Sequence, residues 1–219
     1  MKHLILIVAA LLVMQSLPKA LAKGPMGVKI ATLNLQWFGL GGEFSGTLSD
    51  EYRGPWIKEF ISIELRDVDV VVFEEIVDVN AFEDLMQPNF KCVSYHHSSP
   101  YHQHVVLCHK SHLEFVKEKD DDNYAFEDSA LNPMARPALH GVLKRRNGKA
   151  LLRIFGVHLK AFPNETKTRL QQLAKIASRI KSLKDGLPVA ILGDFNSHIA
   201  KVTKLKKDDW EYIDRKSVV

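Results

Sequence analysis

The chain has 219 residues, 46% hydrophobic and 26% charged, with 12 Gly, 9 Pro and 2 Cys. These proportions exclude collagen-like, disordered and disulfide-scaffold classes, and the length suits one domain with a sizeable core. The formal charge is +4 and no long basic block accompanies it, which argues against nonspecific nucleic-acid binding driven by many phosphate contacts.

Lys2 and His3 precede an apolar run over residues 4–14, and the segment closes on Ala20, Leu21 and Ala22. A basic start, a short apolar stretch and small residues at alternate positions predict a secretory signal peptide over 1–22, cleaved near Ala22. The run falls short of the ~20 residues that span a bilayer. The mature chain, 23–219, is therefore expected to be secreted or periplasmic, without a membrane span. Residues 1–22 hold Lys2 and Lys19 and no acid, so cleavage lowers the formal charge from +4 to +2.

Apolar runs rich in β-branched residues and bounded by turn formers predict strands over 28–35, 68–73, 90–95, 105–108, 138–143, 151–158 and 189–192. Helical spacing of Trp56, Ile57, Phe60, Ile61 and Leu65 predicts a helix over 50–65. A second, over 168–183, carries Leu170, Leu173, Ala177, Ile180 and Leu183 and stops at Gly186 and Pro188. A shorter helix over 81–86 starts near Asn80. Strands outnumber helices, and adjacent strands far outnumber helical crossovers. That pattern favours stacked sheets with helices outside over a doubly wound parallel sheet.

Two cysteines in an exported chain invite a bridge. A hairpin centred on Pro100 would set Cys92 opposite Cys108; two buried thiols is the equal alternative, since spacing alone does not set register. Near this hairpin stand His96, His97, His102, His104, His109 and His112, six of the ten histidines. Alternate positions such as His102 and His104 could grip Zn2+ or Cu2+; a solvated hairpin with a pH-dependent charge is the favoured reading. Lys201, Lys204, Lys206 and Lys207 read as a solvated face. The segment Trp210, Glu211, Tyr212, Ile213, Asp214 reads as the start of a further strand.

The chemistry gathers at strand ends. Apolar runs lead into Asn34, into Glu74 and Glu75, into His158, and through Gly193 into Asp194, Phe195 and Asn196. A strand is a rigid rod, and its terminus can hold a side chain in a shared cleft. Oxygen ligands from Glu75 and Asn34 suit a hard cation such as Mg2+. His158 can act as acid, base or hydrogen-bond donor near neutral pH. Asp194 and Asn196, two apart, can address a nucleophile and an oxyanion together, and Arg136 offers a forked cation for phosphate oxygens.

The set Asn34, Glu75, Arg136-Pro137, His158-Leu159-Lys160 and Gly193-Asp194-Phe195-Asn196 resembles the endonuclease/exonuclease/phosphatase superfamily, whose members are similar to deoxyribonuclease I. Order and spacing match over 28–196. The resemblance implies an α/β fold, a four-layer sandwich of two face-to-face β-sheets flanked by helices. It implies hydrolysis of a phosphoester with Mg2+, for which Mn2+ or Ca2+ could substitute. By position, Asn34 and Glu75 would be metal-site residues, and Tyr101 and Arg136 would contact the phosphate. His158 would stabilise the phosphate or protonate the leaving oxygen. Asp194 and Asn196 would orient water and bind the scissile phosphate.

Three departures qualify the match. Gln103 stands where such proteins have a glutamate that orients the catalytic histidine, and Glu74 replaces a common glutamine. The family pattern also ends in an Asp-His pair, and the only histidine after Asn196 is His198. The sandwich is therefore expected to be incomplete at its C-terminus, and this chain weakly active or inactive. The expected function is that of a secreted metal-dependent phosphoesterase, first a nuclease acting on nucleic acid. The alternatives are a phosphatase or lipid phosphodiesterase, or a catalytically dead binding module.

Overall fold

The computed structural model describes residues 27–40, 48–95, 103–118 and 138–196. The leader, Tyr101, Arg136, the histidines at 96, 97 and 102, His198 and the segment 210–214 lie outside them. Among the described residues, eight strands form two four-stranded sheets. The first has β1 (Ile30–Phe38), β2 (Val70–Ile76), β3 (Lys91–Ser94) and β4 (His104–His109) in the order β1-β2-β4-β3. The second has β5 (Leu113–Lys117), β6 (Leu139–Arg145), β7 (Ala150–His158) and β8 (Val189–Asp194) in the order β5-β6-β7-β8.

Alternation along the strands makes the layers, because neighbouring residues face opposite sides of a sheet. Val70, Val72, Leu107, Leu139, Leu152 and Ile154 meet between the sheets. Val71, Phe73, Val106 and Cys108 face outward, under α1 (Asp50–Ile63) and α2 (Val79–Met86). Phe155 and Val157 face outward from the second sheet, where Ile176 of α3 (Thr166–Ser182) covers them. The order of layers is helix, sheet, sheet, helix, as the resemblance implied. β1 pairs parallel to β2 and β7 parallel to β8, with α1 and α3 as the crossovers; every other pairing is antiparallel. The carboxyl ends of β1, β2, β7 and β8 consequently lie at one end of the sandwich.

Three particulars differ from the sequence reading. Strand β5 has no counterpart in it, although Leu113 and Phe115 are buried and Glu114 is exposed; five residues between a turn and an acidic run hold too little period-2 signal. Trp56 sits on the same helix as the buried Ile61 but is 74% exposed. Leu170 is likewise exposed on α3. In both helices the apolar residues extend beyond the sheet that the helix covers.

The hairpin register is the one centred on Pro100: Lys91 faces His109, Cys92 faces Cys108 and Val93 faces Leu107. Cys92 and Cys108 are joined in a disulfide. No described helix is long and apolar enough to cross a membrane.

Candidate active site

Glu74 and Glu75 end β2 side by side, yet they occupy different environments. A register shift in both β1 and β2 accompanies them, and Glu75 has φ +62°. A bulge adds one residue and turns its side chain off the strand's alternation. Glu75 thereby enters the cleft. Glu74 is 1% exposed and accepts a hydrogen bond from the Thr32 hydroxyl. Burial pushes its carboxyl from 4.5 up to about 8, with the charges of Asp194 and Glu75 adding to the rise and the Thr32 bond opposing it. At neutral pH it carries its proton, so this glutamic acid is an uncharged hydrogen-bonding group, as the common glutamine would be.

On the second sheet, β7 and β8 run parallel in a register that sets His158 beside Asp194. Gly193 permits the approach. Its φ is +135°, and a Cβ there would stand 1.8 Å from the Val157 carbonyl oxygen. Beyond it the chain turns tightly: the Asn196 backbone N–H donates to Asp194 Oδ1 at 2.8 Å and the Asn196 amide donates to the Leu159 carbonyl at 2.9 Å. Asn196 has φ +49°, a conformation that asparagine adopts more readily than most residues.

The ends of the two sheets meet through Asn34. Its Nδ2 donates to Glu75 Oε1 at 2.9 Å and to Asp194 Oδ2 at 3.0 Å, while its Oδ1 accepts from the Gln36 backbone N–H. One amide thus holds two carboxylates close together. His158 is 2% exposed, with Nε2 3.7 Å from Glu75 Oε1 and 3.9 Å from Asp194 Oδ2. One ligand atom from each of Glu75, His158 and Asp194 lies within 4.8 Å of the others. Two carboxylates and an imidazole fit a divalent cation, whose charge would offset the repulsion between the acids. Among the described residues this is the one such cluster, and His104, His109 and His112 are not part of it. His104 instead contacts the Ile76 carbonyl, and His112 lies 3.1 Å from Asp69.

Gln103 has a partner that the sequence did not indicate. Its Nε2 donates to Glu75 Oε2 at 2.9 Å, so both oxygens of Glu75 are held by side-chain amides. Asn34, Glu75, His158, Asp194 and Asn196 come together from positions as far apart as 34 and 196. Tyr101 and Arg136 lie outside the described residues. Thr32, Gln103 and the Leu159 carbonyl complete the surroundings; pairing of β1 with β2 was the only sequence-level cue to Thr32.

No protein-family model matches the sequence, and no curated protein is significantly similar to it. Solved structures are similar in three dimensions. An endonuclease/exonuclease/phosphatase family protein from Bacteroides thetaiotaomicron superposes with a TM-score of 0.62 at 16% identity, over 86% of this chain and 68% of that one. A mannosyl-6-phosphatase from the same organism gives 0.59 at 17%, over 81% and 70%. TDP2 from D. rerio, complexed with a single-strand DNA product, gives 0.59 at 18%, over 86% and 70%. At such identities the likeness establishes architecture, and the architecture of this chain is that of the endonuclease/exonuclease/phosphatase proteins.

Proposed function

We propose that this chain is an exported phosphoesterase dependent on a divalent metal, Mg2+ by preference, and that it acts as a nuclease on phosphodiester bonds. The observation that carries the reading is the convergence of Glu75, His158 and Asp194 at the carboxyl ends of three strands. Their spacing is set by Asn34, Gln103 and the Gly193 approach. Bridging of Cys92 to Cys108 supports export, because such bonds persist in oxidising compartments.

A bound divalent cation would be held by Glu75 and Asp194 and would neutralise charge on the phosphoryl oxygens. The chain's own groups supply the rest. Asp194 is fixed at both oxygens, one by the Asn196 N–H and one by Asn34, so it can aim a water without reorganising. His158 lies against both carboxylates, its Nε2 3.7 Å from Glu75 and 3.9 Å from Asp194, and its ring N–H can donate to a phosphoryl or leaving oxygen.

The test incubates the full chain with single-stranded DNA and, separately, with mannose 6-phosphate, each with Mg2+, Mn2+ or EDTA. Weak DNA cleavage that EDTA abolishes is expected, with further losses of about 100-fold or more in Asp194→Asn and His158→Ala. Metal-dependent release of phosphate from the sugar alone would make the chain a phosphatase instead. Cleavage undiminished in both variants would remove these residues from the mechanism.

A further inference from the structure

Towards its carboxyl end β1 departs from a regular strand. Four steps along it, from Asn34 to Phe38, match two along β2, from Glu74 to Ile76. The surplus is taken up by Gln36 and Trp37, with φ +45° and +55°, and Gly39 beyond them has φ +98°. Left-handed backbone is disfavoured for a residue that carries a Cβ, and two such residues in a row persist only where their surroundings hold them. The first turn of α1 does the holding. Arg53 Nη1 donates to the carbonyls of Leu35 and Gln36, each at 2.9 Å, and Arg53 Nη2 donates to Asp50 Oδ1. The other oxygen of Asp50 accepts from the Gly39 N–H at 2.7 Å. The Arg53 and Asp50 side chains are only 16% and 24% exposed, so a largely shielded ion pair grips the kink at both ends.

We propose that Arg53 is a positioning residue for the cluster of Glu75, His158 and Asp194, acting through the peptide between Leu35 and Gln36 and through Asn34. A trans peptide is a rigid plane with its C=O and N–H on opposite sides. On one side of this plane the Leu35 carbonyl accepts from Arg53; on the other the Gln36 N–H donates to Asn34 Oδ1 at 2.8 Å. With its oxygen so occupied, the Asn34 amide turns Nδ2 to Glu75 Oε1 and Asp194 Oδ2. Loss of the guanidinium frees the plane to rotate towards ordinary dihedrals, and that rotation withdraws the N–H that sets the amide. The two carboxylates then lose their common donor and, carrying like charges, move apart. An arginine suits the task because its planar fork reaches two carbonyls and a carboxylate at once, where an ammonium is a point donor. Arg53 itself bonds to none of the three cluster residues. The proposal rests on the reading of that cluster as a divalent-cation site.

Calorimetric titration of the full chain with Mn2+ tests it without any substrate. The wild type should bind, and Arg53→Met should bind about tenfold more weakly, as loss of a group that orients metal ligands does. In an Asn34→Ala background the same change should add nothing, because the path from Arg53 to the carboxylates is already cut. Arg53→Gln can reach one carbonyl but not both together with Asp50; it should fall between, and it serves if the methionine variant does not fold. Arg153→Met, on the opposite sheet, should lower stability and leave Mn2+ affinity as it is. Equal affinity in wild type, Arg53→Gln and Arg53→Met would overturn the proposal alone. A tenfold loss that persists in the Asn34→Ala background, or that Arg153→Met reproduces, would also overturn it, since the effect would then not run through Asn34. Absence of binding to the wild type would overturn the cation reading and the proposal with it.

Discussion

Glu74 shows how one buried side chain ties the site to pH. In the folded chain its carboxyl titrates at about 8, against 4.5 as the ordinary value. Between those limits the folded state holds a proton that the unfolded state has released, so stability is full below about pH 4.5 and declines as pH rises towards 8. Glu74→Gln keeps an acceptor for Thr32 and removes the ionisation. In EDTA, urea-denaturation midpoints between pH 5.5 and 9 should therefore fall more steeply for the wild type than for the variant, which should be the more stable at the alkaline end. Parallel curves would show that Glu74 is ionised in the folded chain. The sequence marked this position only as Glu where Gln is common; its burial beneath Asp194 and Glu75 comes from the pairing of β1 with β2.

At the scale of elements, the β3–β4 hairpin was legible because its two strands are symmetric about Pro100, and the observed register keeps that symmetry. Whether the thiols were joined was not legible, since a slip of one residue would have turned them to opposite faces. The Cys92–Cys108 bond closes a separation of 16 residues, for which loop closure in the unfolded chain is worth roughly 3 kcal/mol. Reduction by dithiothreitol, or the pair Cys92→Ala and Cys108→Ala, should lower the unfolding free energy by about that amount with the m-value nearly unchanged. A loss below about 1 kcal/mol would mean that the unfolded chain already keeps the hairpin together. Strand β5 went unseen for the opposite reason: its partner β6 lies beyond a long connection, so nothing local marks Phe115 as buried.

Across the molecule, Arg153 joins parts that no stretch of sequence connects. It is 6% exposed on β7 and donates to Glu118 beyond β5 and to Asp185 ahead of β8. Burial opposes its charge, and the hydrogen bonds to Asp185 and Glu118 more than restore it, so its pKa lies above the ordinary value. The same bond from Arg153 lowers the Asp185 pKa. Both acids are partly exposed and water can solvate them if the arginine is lost, whereas the arginine has no such recourse. Arg153→Met should therefore destabilise the chain less than the pair Glu118→Ala and Asp185→Ala, which leaves the buried guanidinium without acceptors, measured by urea denaturation at neutral pH. The reverse order would mean that Arg153 reaches solvent by another route.

Local signals in the sequence determined most of the strands, the three helices and the residues able to do chemistry, because periodicity and strand-end polarity are properties of neighbouring positions. Gly193-Asp194-Phe195-Asn196 and His158 were conspicuous for that reason. Only the tertiary structure decided which of them meet and what each one touches. Asn34 bridges Glu75 and Asp194, Gln103 holds Glu75, and Trp56 lies outside the core on a helix whose other face is inside it. Each of these depends on how two sheets stack and where an edge falls, through contacts between residues tens of positions apart, and hydrogen bonding at such separations leaves no periodic trace along the chain.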